Sequence, residues 1–80
     1  MNVAELKQIL SVRGVTPRAF SIDGIGEHEE QYRLERAGVG TWRTYYSERG
    51  NMNDIHDFPN EDEACRYFLQ LLLSDSTIRR

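Results

Sequence analysis

The chain has 80 residues, of which 39% are hydrophobic and 29% are charged, a balance typical of one folded globular domain. Thirteen acidic against ten basic side chains leave a net charge of −3, which disfavours direct binding to nucleic acid and suits a basic protein partner. The lone Cys65 excludes an internal disulfide and a zinc site built from several thiolates. Since the chain has no long apolar run and no signal-peptide start, we expect a cytoplasmic protein without membrane contact.

The first predicted element is a helix over residues 3–13. Asn2 can cap its first turn, and Glu5 follows at the capping-box position. Gly14 stands where a left-handed residue would end the helix, and Pro17 prevents it from resuming. The apolar stripe of this helix consists of Val3, Leu6, Ile9 and Leu10.

The middle of the chain changes from helical to strand periodicity. Four segments have strand features, at residues 19–22, 29–36, 41–48 and 52–58. Short turns that contain glycine separate them, which predicts a three- to four-stranded antiparallel meander. Whether residues 19–22 join the sheet is left open by the sequence.

A second helix is predicted from the capping residue Asn60 to about Ser74. Glu63 stands at the capping-box position, and Pro59 ends the preceding strand. The apolar face of this helix consists of Ala64, Cys65, Phe68, Leu69, Leu71 and Leu72. The predicted fold is therefore α+β, a single domain over residues 1–80 with both helices on one face of the sheet and a frayed tail over 75–80.

If both helices cover one sheet face, the opposite face stays open. With Tyr32, Leu34, Trp42 and Tyr46 facing the helices, Arg33, Glu35, Arg43 and Tyr45 must face outward. Pairing Leu34 with Thr44 sets Glu35 opposite Arg43 and Arg33 opposite Tyr45, which predicts a salt bridge and an arginine–aromatic contact. Such a face is either a solvated surface stabilised by cross-strand pairs or a binding surface.

Acidic residues concentrate in two places. Glu27, Glu29 and Glu30 lie at one junction between a loop and a strand, and Asp54 and Asp57 precede the second helix. Because we find no structural duty for the first group, we interpret it as a patch that speeds encounter with a basic partner.

Catalysis is not expected. His28 and His56 could form the acid–base pair of a ribonuclease, but their acidic surroundings would repel a phosphodiester, and the same residues lack metal-ligand spacing. Cys65 is interpreted as a core residue, and both Gly-x-Gly segments as turns. Trp42 and its neighbouring tyrosines suggest base stacking, against which the acidic balance argues.

One set of segments resembles small bacterial immunity proteins encoded beside polymorphic toxins, including those of contact-dependent growth inhibition. The resemblance spans about Arg18 to Leu73, and it rests on residues 42–50 (WRTYYSERG), Phe58, residues 61–65 (EDEAC) and residues 20–24 upstream. It implies a cytoplasmic, non-catalytic inhibitor that binds a toxin domain, often a nuclease, and masks its active site.

The sequence thus predicts a toxin-binding protein without cofactor, metal or catalytic residues. The predicted toxin-binding residues are Glu27, Glu29, Glu30, Arg33, Glu35, Arg43, Tyr45, Asp54 and Asp57. Two alternatives stay open: a regulatory or protein-interaction module that forms a homodimer through the open sheet face, and a small ribonuclease or nucleic-acid binder.

Overall fold

The computed structural model describes residues 1–24 and 30–78, and it has the predicted α+β architecture. The elements in chain order are α1 (Val3–Val12), β1 (Phe20–Ile22), β2 (Gln31–Gly38), β3 (Thr41–Glu48), β4 (Asn51–Phe58) and α2 (Glu61–Leu73), with short 3₁₀ turns at Pro17–Ala19 and Ser76–Ile78. The predicted bounds of the helices and of β3 agree with these to within a residue or so.

Both helices begin at the predicted capping residues. The Asn2 side chain accepts a hydrogen bond from the Glu5 amide at 2.8 Å, and Asn60 accepts one from the Glu63 amide at the same distance. These bonds satisfy amides that have no partner within the first turn of a helix. Gly14 ends α1 with a φ of 75°, the left-handed conformation that glycine adopts without strain.

The four strands form one sheet in the order β1-β2-β3-β4. The strands β2, β3 and β4 are antiparallel, and the predicted pairing of Leu34 with Thr44 is confirmed. The first strand does join the sheet, but it pairs parallel to β2, which the meander prediction did not include. The parallel pair is short, because β1 has only three residues, which pair from Phe20 with Tyr32 to Ile22 with Leu34.

A single cluster of buried side chains joins both helices to one sheet face. Leu6 and Leu10 of α1 and Phe68 and Leu72 of α2 are fully buried in it, together with Leu34 of β2. Both helices therefore lie on the same side of the sheet, as predicted. Among the described residues, no helix combines the length and apolarity needed to cross a membrane.

The tail differs from the prediction over residues 75–78. Asp75 accepts a hydrogen bond from the Tyr32 hydroxyl at 2.9 Å, and the carbonyl oxygen of Ile78 accepts one from the Thr16 amide at 2.8 Å. Ile78 also packs against the core. These contacts hold the segment against the domain, so the expectation of fraying is wrong there, and Arg79 and Arg80 lie outside the described residues.

Candidate protein-binding site

The structure divides the predicted toxin-binding residues between two faces of the sheet. Those on the open face, which we define as the sheet face opposite the helices, are Arg33, Glu35, Arg43, Tyr45 and Asp57. Glu30 and Asp54 line a groove on the helix side. Glu27 and Glu29 lie outside the described residues. The predicted set is therefore not one continuous patch.

An ion pair lies on the open face, but its acidic partner is not the predicted one. The register sets Arg43 between Glu35 on β2 and Asp57 on β4. Its guanidinium makes a bidentate pair with the Asp57 carboxylate. Nε donates to Oδ1 at 2.7 Å, and Nη2 donates to Oδ2 at 3.1 Å. The predicted salt bridge to Glu35 is therefore replaced by one to Asp57, since β3 is a central strand and offers Arg43 a neighbour on each side.

This pair fixes the charge state of both partners. Hydrogen bonds to Asp57 raise the pKa of Arg43 above its ordinary value, with the negative charge of Asp57 adding to the effect. Hydrogen bonds from Arg43 lower the pKa of Asp57 below its ordinary value. The open face thus presents a planar, oriented pair of opposite charges, and bidentate geometry of this kind restricts both side chains.

Tyr45 lies opposite Arg33 as predicted, but it is only 5% exposed. Two further open-face residues, Gln31 and Ser47, are similarly buried. The tyrosine therefore does not project as a contact residue of its own, and it supports the surface on which Arg43 and Asp57 lie.

The edge strand β4 is the most exposed element of the sheet. All of its residues except Phe58 are classed as exposed, and it pairs with β3 alone. Met52 and Ile55 are 43% and 49% exposed, and the pairing of Met52 with Ser47 places it on the open-face side. The open-face side of β4 thus carries Met52, Ile55 and Asp57, two exposed apolar side chains and one charged side chain.

Asp54 and Asp57 lie on opposite faces of the sheet because they are three residues apart, and successive side chains of a strand alternate between the two faces. A bulge in β4 adds Asn53 to the helix side. The register shifts between Thr44 and Tyr46, so that one more residue is accommodated on β4 than on β3, and Asp54 has a φ of 55° there. Asn53, which alternation alone would place on the open face, therefore lines the groove beside Asp54.

The groove on the helix side, which we call the tyrosine groove, has a volume of about 550 Å³. Its lining residues are Glu30, Tyr32, Tyr46, Asn53, Asp54, Leu71, Asp75, Thr77 and Ile78. The rings of Tyr32 and Tyr46 meet edge to face, with centroids 4.9 Å apart. Burial, followed by the hydrogen bond to Asp75, raises the pKa of Tyr32 to about 12.

Sequence reasoning missed the part of this groove that comes from the chain's end. The sequence predicts Asp75 in a frayed tail, and Tyr32 and Tyr46 in the core. In the structure, both tyrosines are only partly buried. In the sequence, Asp75 directly follows the predicted end of the second helix, and the hydrophobic Ile78 stands three residues later. This apolar residue is the feature of the sequence that could have predicted a tail packed against the core.

The structure assigns no catalytic arrangement to the histidine and cysteine that it describes. His56 bonds through Nε2 to Asp54 at 3.0 Å, and its ring packs on Tyr67 at 4.9 Å. Cys65 is fully buried, and burial raises its pKa to about 11, so its thiol stays protonated. His28 lies outside the described residues, and the remainder contains no group of three potential metal ligands.

Comparisons with protein-family models, with curated proteins and with solved structures gave no match.

Proposed function

We propose that this protein binds and neutralises a toxin domain, and that it contacts the toxin through the open face and the adjoining edge strand β4. The observation that carries the proposal is the open face itself, on which the Arg43–Asp57 pair lies two residues from the exposed Ile55, with the exposed Met52 further along the same edge strand. Both helices pack on the opposite side of the sheet, so neither covers these residues.

The physical advantage of such a surface is that it is already ordered. Association is opposed by the entropy of side chains that become fixed at the interface. Arg43 is held by two hydrogen bonds before any partner arrives, and the neighbouring Tyr45 is packed. A partner therefore meets a fixed pattern of charge and apolar contact, which favours specific recognition.

The sign of the charge suits a basic partner. The chain carries a net charge of −3, and active sites that bind phosphates are basic. An acidic inhibitor can compete for such a site by charge complementarity and can speed its encounter with the enzyme. We infer that the partner is a basic toxin domain, such as a nuclease, and that the inhibitor acts in the cytoplasm by masking the active site without catalysis, cofactor or nucleic-acid contact.

The first experiment is co-expression of the tagged protein with the product of the neighbouring gene. We expect a stable complex on co-purification and loss of the neighbour's toxicity. If the neighbouring product neither binds nor harms the cell, the proposal is contradicted for that gene pair.

The open face is then tested by exchanging its ion pair. In the double variant Arg43→Asp with Asp57→Arg, the pair and the net charge are kept but the charge pattern is reversed. We expect a melting temperature close to the wild type and a loss of toxin affinity of about 100-fold or more, since opposed like charges across an interface cost several kcal/mol. Gln8→Ala, on the exposed side of α1, also keeps the net charge, so it is the control and should bind normally. Equal affinity in the double variant and the wild type would remove the open face from the interface.

A homodimer through the same face is the second candidate, because Met52 and Ile55 are exposed apolar residues on an edge strand. Sedimentation equilibrium separates the two candidates. A dimer that forms without toxin and dissociates in Ile55→Glu would favour the homodimer, and a monomer at all concentrations would exclude it. Tyr45 is unsuitable for this test because its burial would make a charged substitution unfold the domain.

A further inference from the structure

The tyrosine groove combines three kinds of surface that are seldom found together by chance. Leu71 and Ile78 supply apolar surface from α2 and the tail, and Tyr32 and Tyr46 supply aromatic rings. The carboxylates that line the groove belong to Glu30, Asp54 and Asp75. The groove is therefore a concave site with apolar walls and a negative lining.

An arginine side chain matches these surfaces part by part. Its methylene stem packs on apolar side chains, whereas its planar guanidinium stacks on aromatic rings and pairs with carboxylates through up to five N–H donors. A lysine side chain offers only a point charge and cannot stack, and an anion would be repelled. We propose that the tyrosine groove receives an arginine side chain presented by a protein partner.

The carboxylates of the groove have capacity for such a ligand. Among the described residues, ion pairs of these three acids are confined to Asp54 with His56. The side chain of Asp54 is 62% exposed, and Asp75 is bonded by the neutral groups of Tyr32 and Thr77. The ion pairs of the N-terminal amine, Arg43 and Arg66 are made with Asp62 and Asp57, neither of which lines the groove.

Burial is the main reason that the pKa of Tyr46 is raised, and the negative charges of Glu30, Glu48 and Asp75 raise it further. The effect of these carboxylates also favours a cation beside the ring, whereas burial disfavours a charge of either sign.

This inference deepens the proposed function and in part rests on it, because it names the chemistry of one contact with a basic toxin. The groove and the open face lie on opposite sides of the sheet, and β4 separates them. Asp54 and Asp57 are three residues apart on that strand. A partner that wraps around the β4 edge can therefore reach both surfaces.

The test uses a small probe, so that its outcome does not depend on any toxin. Nα-acetyl-arginine amide is titrated into the full chain, and amide and aromatic NMR signals are followed. The matched control is Nα-acetyl-citrulline amide, which has nearly the same shape without the charge. We expect saturable shifts at Tyr32, Tyr46 and Leu71, with citrulline at least about tenfold weaker.

Two exposed substitutions test the contribution of charge. Asp54→Asn and Glu30→Gln keep the shape of the groove, and each should weaken arginine binding by about fivefold or more. Glu5→Gln removes an acidic charge from exposed α1 and should leave the affinity unchanged. In Tyr46→Phe the ring remains, so binding should persist, which separates stacking from hydrogen bonding by the hydroxyl.

Three results would overturn the proposal. The first is equal binding of arginine and citrulline, and the second is arginine binding that is the same in wild type, Asp54→Asn and Glu30→Gln. The third concerns Arg79 and Arg80, which directly follow Ile78 in the sequence. If the probe binds only after residues 79–80 are deleted, the occupant is the chain's own end. If the groove binds the probe but the protein does not neutralise the toxin, the proposed function is refuted. The proposal that the groove binds an arginine side chain would then still stand.

Discussion

Thr44 lies at the centre of the sheet, on the face that the helices cover. It pairs with Leu34 on one side and His56 on the other, and its side chain is fully buried. Among residues 1–24 and 30–78, its hydroxyl oxygen has no hydrogen-bond partner. A buried hydroxyl that has left water without a new partner costs free energy, about 1–3 kcal/mol in protein mutational data.

Replacing Thr44 by valine should therefore stabilise the protein. Valine has almost the same shape, exchanges the unsatisfied hydroxyl for a methyl group and suits a strand. We expect the free energy of unfolding to rise by about 1–2 kcal/mol, a large fraction of the 5–15 kcal/mol that is usual for a domain. The melting temperature should rise by about 4–8 °C for each kcal/mol.

The assay is urea denaturation followed by the fluorescence of Trp42, the single tryptophan, which is 7% exposed. The midpoint should rise while the slope stays constant, because the surface exposed on unfolding is unchanged. Thr44→Ser keeps the hydroxyl and loses the methyl group, so it should be less stable than wild type by about 1 kcal/mol. Thr41→Val, at a half-buried position, should change stability by less than about 0.5 kcal/mol.

A valine variant that is less stable than wild type by about 1 kcal/mol or more would refute this reasoning. Such a result would mean that the hydroxyl is satisfied in solution, for example by a buried water between strand and helix.

Three further predictions concern the core and the tyrosine groove. Phe68→Ala should cost about 3–5 kcal/mol, since Phe68 is fully buried, and a loss below roughly 1 kcal/mol by urea denaturation would contradict its central place in the core. Cys65 should react with an aromatic disulfide reagent only as fast as the native protein opens, because its thiol is buried and its pKa is raised to about 11; rapid modification in native buffer would contradict this. The pKa of Tyr32 is raised from 10.0 to about 12, mainly by burial, so its neutral form stabilises the fold fully below pH 10 and this contribution is lost as the pH rises towards 12. Between pH 10 and pH 12, the urea midpoint of the wild type should therefore fall by more than the midpoint of Tyr32→Phe. Equal falls in the two proteins would contradict the raised pKa of Tyr32.

Local chemistry was sufficient to predict the elements of this fold. Asn2 and Asn60 cap helices because their side chains bond amides three residues away, which depends on neighbouring residues alone. Alternation along β2 and β3, together with a short turn, set which side chains face the core, and the pairing of Leu34 with Thr44 follows from it. The α+β arrangement with both helices on one face was predictable for this reason.

The candidate site was predicted less well, because its decisive contacts join elements that are distant in sequence. Arg43 binds Asp57, since a central strand has two neighbours and only the sheet order decides between them. The predicted acidic residues separate because Asp54 and Asp57 are three residues apart on one strand, which places them on opposite faces. Tyr45 faces away from the helices as predicted, yet it is only 5% exposed.

The sequence by itself determined where the two helices begin and end and which faces are apolar, since caps and periodicity act over a few residues. The predicted strand at 29–36 is wrong by two residues at each end, because β2 spans Gln31–Gly38. Only the tertiary structure decided the parallel pairing of β1, the partner of Arg43 and the anchoring of Asp75 and Ile78 beside Tyr32. These features depend on which distant groups are brought within hydrogen-bond or van der Waals distance, and that is a property of the packed chain.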